Sequence, residues 1–315
     1  MTKNKSTTAQ SEPTNLLQEH YSEDPHFEFT LTWQEIAPVY QKTLSRSAKQ
    51  IKHKGFRPGK VPQHLAEELI DSQYLIQEVL KPLLGSAYKQ ALATQKYTPI
   101  DDPELIVKSA KKNQDWTIIA YLPQKPVIEL PAYKKIISEQ KKAITAGIKA
   151  TQKKATTDKK DQPKENEKLS EQEINNRSTD QALLYLLQEI KPKVSPILVK
   201  RAAQKEFERM LFQLQQHQIS LEEYLQNIGS NQEDLGQQLM FSALQNLQME
   251  FILDALITAE KISLTEEELL AKLTEVMPDV KTQKEKKSQL EQKEVRAYIE
   301  LLAKRKKLAD WLLSL

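Results

Sequence analysis

Between Glu35 and Glu67 the chain carries no carboxylate, while the interval holds Lys42, Arg46, Lys49, Lys52, Lys54, Arg57 and Lys60. Lys42, Arg46, Lys49 and Lys52 (or His53) follow i, i+4, i+7 spacing, which places them on one face of a helix. That face runs into Gly55-Phe56-Arg57-Pro58-Gly59-Lys60-Val61-Pro62. Gly and Pro shape a loop there, and the loop presents an aromatic ring among cations. This chemistry suits an anionic partner that also offers an apolar pocket, as ribosomal and other nucleoprotein surfaces do. A plain basic surface is the competing reading of the same charges.

Nothing else in the sequence demands catalysis. Gly-rich phosphate loops, HExxH and GxSxG are absent. The absence of Cys removes disulfides, thiolate nucleophiles and Cys-ligated zinc. His20, His26, His53, His64 and His217 show no ligand spacing, so no metal and no cofactor are expected. Carboxylates elsewhere alternate with Lys, as on solvated helix faces. Only 6 Gly occur in 315 residues, far below the usual roughly 7%. That scarcity argues against turn-dense enzymes and favours long helices. The first 15 residues are polar, and no run approaches the roughly 20 apolar residues that span a bilayer. A cytoplasmic protein is the default expectation.

The elements that would position the loop can be read in order. Residues 1–24 lack periodicity and read as disordered. Phe27, Phe29 and Leu31 alternate with polar residues as in a half-buried strand. Thr32 and Glu35 form a capping-box pattern before a helix expected to reach about Lys52. After the loop, helices follow, and then strands at Glu104–Ser109, 116–122 and 127–130. This is an α+β block covering 25–133. Residues 134–168 hold 11 Lys against 5 acids. They read as partial helix to about Lys154 and then a basic, flexible linker. From Leu169 to Leu315 only helices are expected, with capping boxes at Ser170, Ser220, Ser230 and Ser263 and a last helix from Thr282 to Leu315. The chain is therefore mainly α, with an elongated all-α second block.

The octapeptide from Gly55 to Pro62 resembles the GFRxGxxP ribosome-docking signature of bacterial trigger factor. Its context of strand, long helix, loop, helices and returning strands is similar as well. The resemblance continues in the helical block at Pro196-Ile197-Leu198-Val199, at Ser220-Leu221-Glu222-Glu223-Tyr224 and at Ser263-Leu264-Thr265-Glu266. It implies an ATP-independent chaperone that docks on the large ribosomal subunit beside the exit tunnel and shields nascent polypeptides. Residues 25–133 would be the ribosome-binding domain and 169–315 the client-binding domain. Phe56 and Arg57 would enter the contact, Gly55 and Gly59 would shape the loop, and Lys60, Lys54, Arg46 and Lys49 would supply charge. Pro58 stands where the family often has a basic residue. The family usually inserts a peptidyl-prolyl isomerase domain between the two blocks; here the Lys-rich stretch 134–168 takes its place, so no isomerase activity is expected. The partners implied are the ribosome, with ribosomal RNA included, and unfolded polypeptides. A dimer away from the ribosome is left open. The competing function is a ribosome- or RNA-binding structural factor that holds no clients.

Adaptable apolar side chains in the helical block are candidates for the client surface. They are Phe212, Met240, Phe207, Met210, Met249 and Tyr224. Phe212 and Met240 lie off the main apolar stripes, and core packing is the alternative for each of the six.

Overall fold

The computed structural model describes residues 24–51, 53, 56, 61–157, 169–280 and 282–315. In chain order the elements are β1 (His26–Leu31), α1 (Trp33–Ala48), α2 (Gln63–Leu69), α3 (Ser72–Ala93), β2 (Glu104–Ser109) and β3 (Trp116–Tyr121). Then come α4 (Tyr133–Thr157), α5 (Glu171–Ile190), α6 (Pro196–Gln216), α7 (Leu221–Ile228), α8 (Gln232–Ala259), α9 (Glu266–Val276), α10 (Gln283–Glu291) and α11 (Lys293–Ser314). The chain is mainly α, with one small sheet. It forms two compact units: residues up to Lys125 with Ser195–Gln204, and Pro126–Val194 with Lys205–Leu315.

In the first unit the sheet order is β1-β3-β2, and both pairings are antiparallel. Opposite residues Phe29 and Ile118, Phe27 and Ala120, and Leu31 and Trp116 share one face. That face is buried under Ile36, Tyr40 and Leu44 of α1 and Leu75, Val79 and Leu80 of α3. The period-2 alternation of β1 meets the helical stripes of α1 and α3, so each element buries the face its pattern predicts. Helix α1 starts where expected: Thr32 N–H donates to Glu35 Oε2 at 3.0 Å. The β2–β3 turn is tied to the same point, because Trp33 N–H donates to Asp115 Oδ1 at 2.7 Å.

The opposite sheet face carries Ile106, Ile119 and Tyr121, and Ile197 covers them. Ile197 belongs to the first residues of α6, which the sequence places in the all-α block. Side chains pin this segment. Arg201 donates from Nη1 to Asp102 O at 2.7 Å and from Nη2 to Pro103 O at 3.2 Å. Lys200 Nζ lies 3.2 Å from Glu104 Oε1. Asp24, within the stretch expected to be disordered, is buried and accepts from Ser195 Oγ at 2.9 Å. The rest of that stretch and the linker residues 158–168 lie outside the described residues.

The expected strand at 127–130 is not formed. Its alternation is real but serves another partner: Ile128 and Leu130 pack against helices, while Val127 is 93% exposed. Pro126 and Pro131 bracket the segment and offer no N–H to a sheet ladder. Helix α1 stops at Ala48, short of Lys52, as Gln50 and Ile51 N–H turn back to Ser47 and Ala48 carbonyls.

In the second unit, the helix expected to about Lys154 is α4, which runs to Thr157, and Ile137 of its first half sits in a core. Ile137 of α4 is fully buried with Ala182, Leu186 and Leu187 of α5, Ile252 and Leu256 of α8, and Leu308 and Leu312 of α11. The Lys content hid a stripe at Tyr133, Ile137, Ile144 and Ile148, which is helical spacing. Lys141 is buried in the same helix and donates to Leu312 O at 2.8 Å and Leu313 O at 3.1 Å. Burial pushes its ammonium pKa down. A second small core joins Leu269 and Leu273 of α9 to Leu290 of α10 and Ile299 of α11. The single helix expected from Thr282 is broken at Gln292, whose backbone is extended, and the break lets Leu290 and Ile299 reach one core. Two caps move within their sequences. Asn231, not Ser230, opens α8 by accepting from Asp234 N–H at 2.9 Å, and Thr265, not Ser263, opens α9 with Glu268. Gly229 ends α7 at φ 63, a left-handed conformation that glycine adopts without cost.

Candidate functional site

The cationic loop connects α1 to α2, and its base is closed. Ala48, Val61 and Ala66 form a small buried plug, with Ile51 and Leu65 packed against it. The Gln63 amide donates to Ser45 Oγ at 3.0 Å and to Gln41 Oε1 at 3.2 Å, joining the start of α2 to the last turns of α1. Phe56 is 38% exposed, and its ring centroid lies 5.9 Å from that of His53 at 48°. Phe56 N–H donates to His53 O at 3.2 Å. The candidates Lys54, Gly55, Arg57, Pro58, Gly59 and Lys60, like Lys52, lie outside the described residues.

Lys42 and Arg46 on α1 and Lys49 at its C-cap are exposed. Tertiary structure adds an acid that the local sequence lacks. Glu78 of α3 reaches Arg46 Nη2 at 2.7 Å and also binds Lys81. Lys81 first, and Arg46 after it, hold the Glu78 carboxyl below the usual carboxylate range. Glu78 stands 32 positions from Arg46, so no local pattern marks the pair. A second bracket fixes α2. Glu67 accepts from Lys112 Nζ and from Tyr40 OH, both at 2.7 Å. Lys112 holds the Glu67 carboxyl down, while burial and then the Glu67 contact push the Tyr40 phenol up. The loop's downstream stem is thereby tied to α1 and to the β2–β3 turn.

The apolar candidates of the helical unit divide. Phe212 of α6 is 61% exposed. Met240, Phe207, Met210 and Tyr224 are half-buried. Met249 is half-buried and packs against the core of α4, α5, α8 and α11. Phe241, beside Met240 on α8, is also 61% exposed. The apolar residues of α8 surround the helix (Leu235, Leu239, Met240, Phe241, Leu244, Phe251, Ile252), so no single stripe separates core from surface. Among the described residues no group of His, Asp or Glu is arranged to hold a metal ion, and no helix is long and apolar enough to cross a membrane.

The described residues thus present exposed aromatics on the α+β unit (Phe56) and on the helical unit (Phe212 and Phe241). Comparison with known proteins identifies the family. Residues 17–157 match the family model of the bacterial trigger factor protein, and residues 156–314 match the model of the trigger factor C-terminus. The chain belongs to the trigger factor family. The trigger factor of Streptococcus mutans serotype c is 29% identical over 119 residues, 37% of this chain and 28% of that protein. That of Lactiplantibacillus plantarum is 30% identical over 108 residues, 34% and 24% of the two chains. That of Streptococcus gordonii is 33% identical over 106 residues, 34% and 25%. In these alignments the chain spans about a quarter of its relatives' length. A solved structure of the trigger factor chaperone, concerned with promiscuous substrate recognition in folding and assembly, matches at TM-score 0.45 and 14% identity, covering 92% of this chain and 96% of that one.

Proposed function

We propose that this protein is an ATP-independent, cytoplasmic chaperone that docks beside the ribosomal exit tunnel and shields apolar segments of emerging polypeptides. The observation that carries the reading is Phe56, exposed in an acid-free interval of sequence between α1 and α2, whose facing ends are joined by Gln63 and by the Ala48–Val61–Ala66 plug. Phe56 inserts into an apolar pocket of the partner, and Arg57 with neighbouring Lys54, Lys60, Lys49 and Arg46 meets its anionic rim. Family membership supports the same assignment. Phe212 and Phe241 on the helical unit offer exposed apolar area for clients, and adaptable Met210 and Met240 lie nearby in sequence. Many weak apolar contacts hold and release a client without nucleotide chemistry.

No residue is assigned a catalytic role. The two family models meet at residues 156–157 and leave no intervening span for an inserted isomerase domain. We therefore expect no acceleration of proline-limited refolding.

Co-sedimentation with ribosomes tests the docking assignment. The double variant Phe56→Ala with Arg57→Glu should abolish binding; retained binding would sink the assignment. An aggregation assay separates chaperone from structural factor. If an unfolded client aggregates equally with and without the protein, a ribosome-binding factor that holds no clients is the better reading.

A further inference from the structure

Arg46 lies in the last turn of α1, on the cationic face that leads into the docking loop. Its guanidinium is not simply presented to solvent, because Nη2 sits 2.7 Å from Glu78 Oε2. The two side chains differ in freedom: that of Arg46 is 62% exposed and that of Glu78 16%. The carboxylate is therefore the fixed partner, and the guanidinium is the one able to swing away. Glu78 also has a second cation, since its Oε1 binds Lys81, one helical turn along α3. When Arg46 leaves, Lys81 remains, so the carboxylate is not stranded. A guanidinium binds phosphate with the same fork of donors that it offers carboxylate. The exchange of one oxyanion for the other thus needs little rearrangement.

Resting on the docking reading above, we infer that Glu78 is an electrostatic attenuator of ribosome binding. It holds Arg46 in reserve and yields it to a backbone phosphate of ribosomal RNA. The pair lowers affinity for stray polyanions, which must compete with the carboxylate, and leaves the cation available where the loop has already docked.

The test measures binding of the full chain to isolated large ribosomal subunits over a salt series, with a short RNA duplex as the polyanion probe. Glu78→Gln should tighten both interactions about three- to tenfold at low ionic strength and steepen the dependence of log K on log salt by up to about one unit, the effect of one added phosphate contact. Glu78→Asp keeps net charge but draws the carboxylate back from Arg46, and it should give a smaller gain in the same direction. Adding Arg46→Gln should erase the gain of Glu78→Gln. Unchanged affinity in both Glu78 variants, or a gain that survives loss of Arg46, overturns the inference. Phe56→Ala distinguishes the two levels of failure. If wild type and Phe56→Ala bind subunits equally, the docking reading fails and takes this inference with it. If Phe56→Ala loses binding while the Glu78 variants match wild type, only the attenuator is refuted.

Discussion

Ser195 Oγ donates a hydrogen bond to Asp24 Oδ2 at 2.9 Å, joining residues 171 positions apart at a buried point of the first unit. Ser195 Oγ also accepts from Ile197 N–H at 3.2 Å, so the same hydroxyl organises the start of α6. Ser195→Val removes one partner of a buried carboxylate and should destabilise the first unit by about 1–3 kcal/mol. Denaturation followed by fluorescence of Trp33 and Trp116, both in that unit, reads the effect; an unchanged midpoint would mean that the bond is incidental.

Ile197 should matter more than its place in the helical half of the sequence suggests. It closes over Ile106, Ile119 and Tyr121 on the sheet. Ile197→Ala should cost about 2–5 kcal/mol of first-unit stability, the usual range for truncating a buried Ile. A loss confined to the second unit would contradict this placement.

Lys141 stabilises the end of α11 by donating to the Leu312 and Leu313 carbonyls, alongside Asn175 Nδ2 at 3.1 Å from Leu313 O. Lys141→Ala leaves the Leu312 carbonyl without this donor, at a cost of roughly 1–3 kcal/mol. Hydrogen exchange should speed up in the last turns of α11 and in the facing part of α4, while β1–β3 stays protected.

Glu67 should show in acid. Its carboxyl is held below the ordinary value by Lys112 first, so the bracket contributes fully at neutral pH and is lost as pH falls below about 4. Glu67→Gln should lower stability by roughly 1 kcal/mol near pH 7, a value limited by partial solvent exposure. The gap between wild type and variant should narrow as pH falls through the carboxylate range in a melting series. A constant gap across that range would remove the ionic explanation.

Phe212 and Phe241 are exposed and bury little, so replacing both with Ser should shift stability by no more than about 0.5 kcal/mol. Suppression of client aggregation should nevertheless fall severalfold. Full suppression by the double variant would move the client surface elsewhere.

By itself the sequence determined the elements whose periodicity matches one burial surface. The alternation of Phe27, Phe29 and Leu31, the Thr32–Glu35 box and the stripe of Ile36, Tyr40 and Leu44 each report a local geometry, and each is seen. The octapeptide Gly55–Pro62 stands out for a related reason, since its glycine, proline, ring and charge are contiguous in the chain. Tertiary structure decided where one surface is shared by distant segments. Ile128 and Leu130 alternate like a strand but pack on helices, and the core contact of α4 at Ile137 was masked by Lys residues around it. Arg46 has a partner only because α3 brings Glu78 to α1, and the sheet's second face is closed only because the chain returns at Ile197. Periodicity records that a face is buried; which distant residue buries it depends on chain paths that no local window contains.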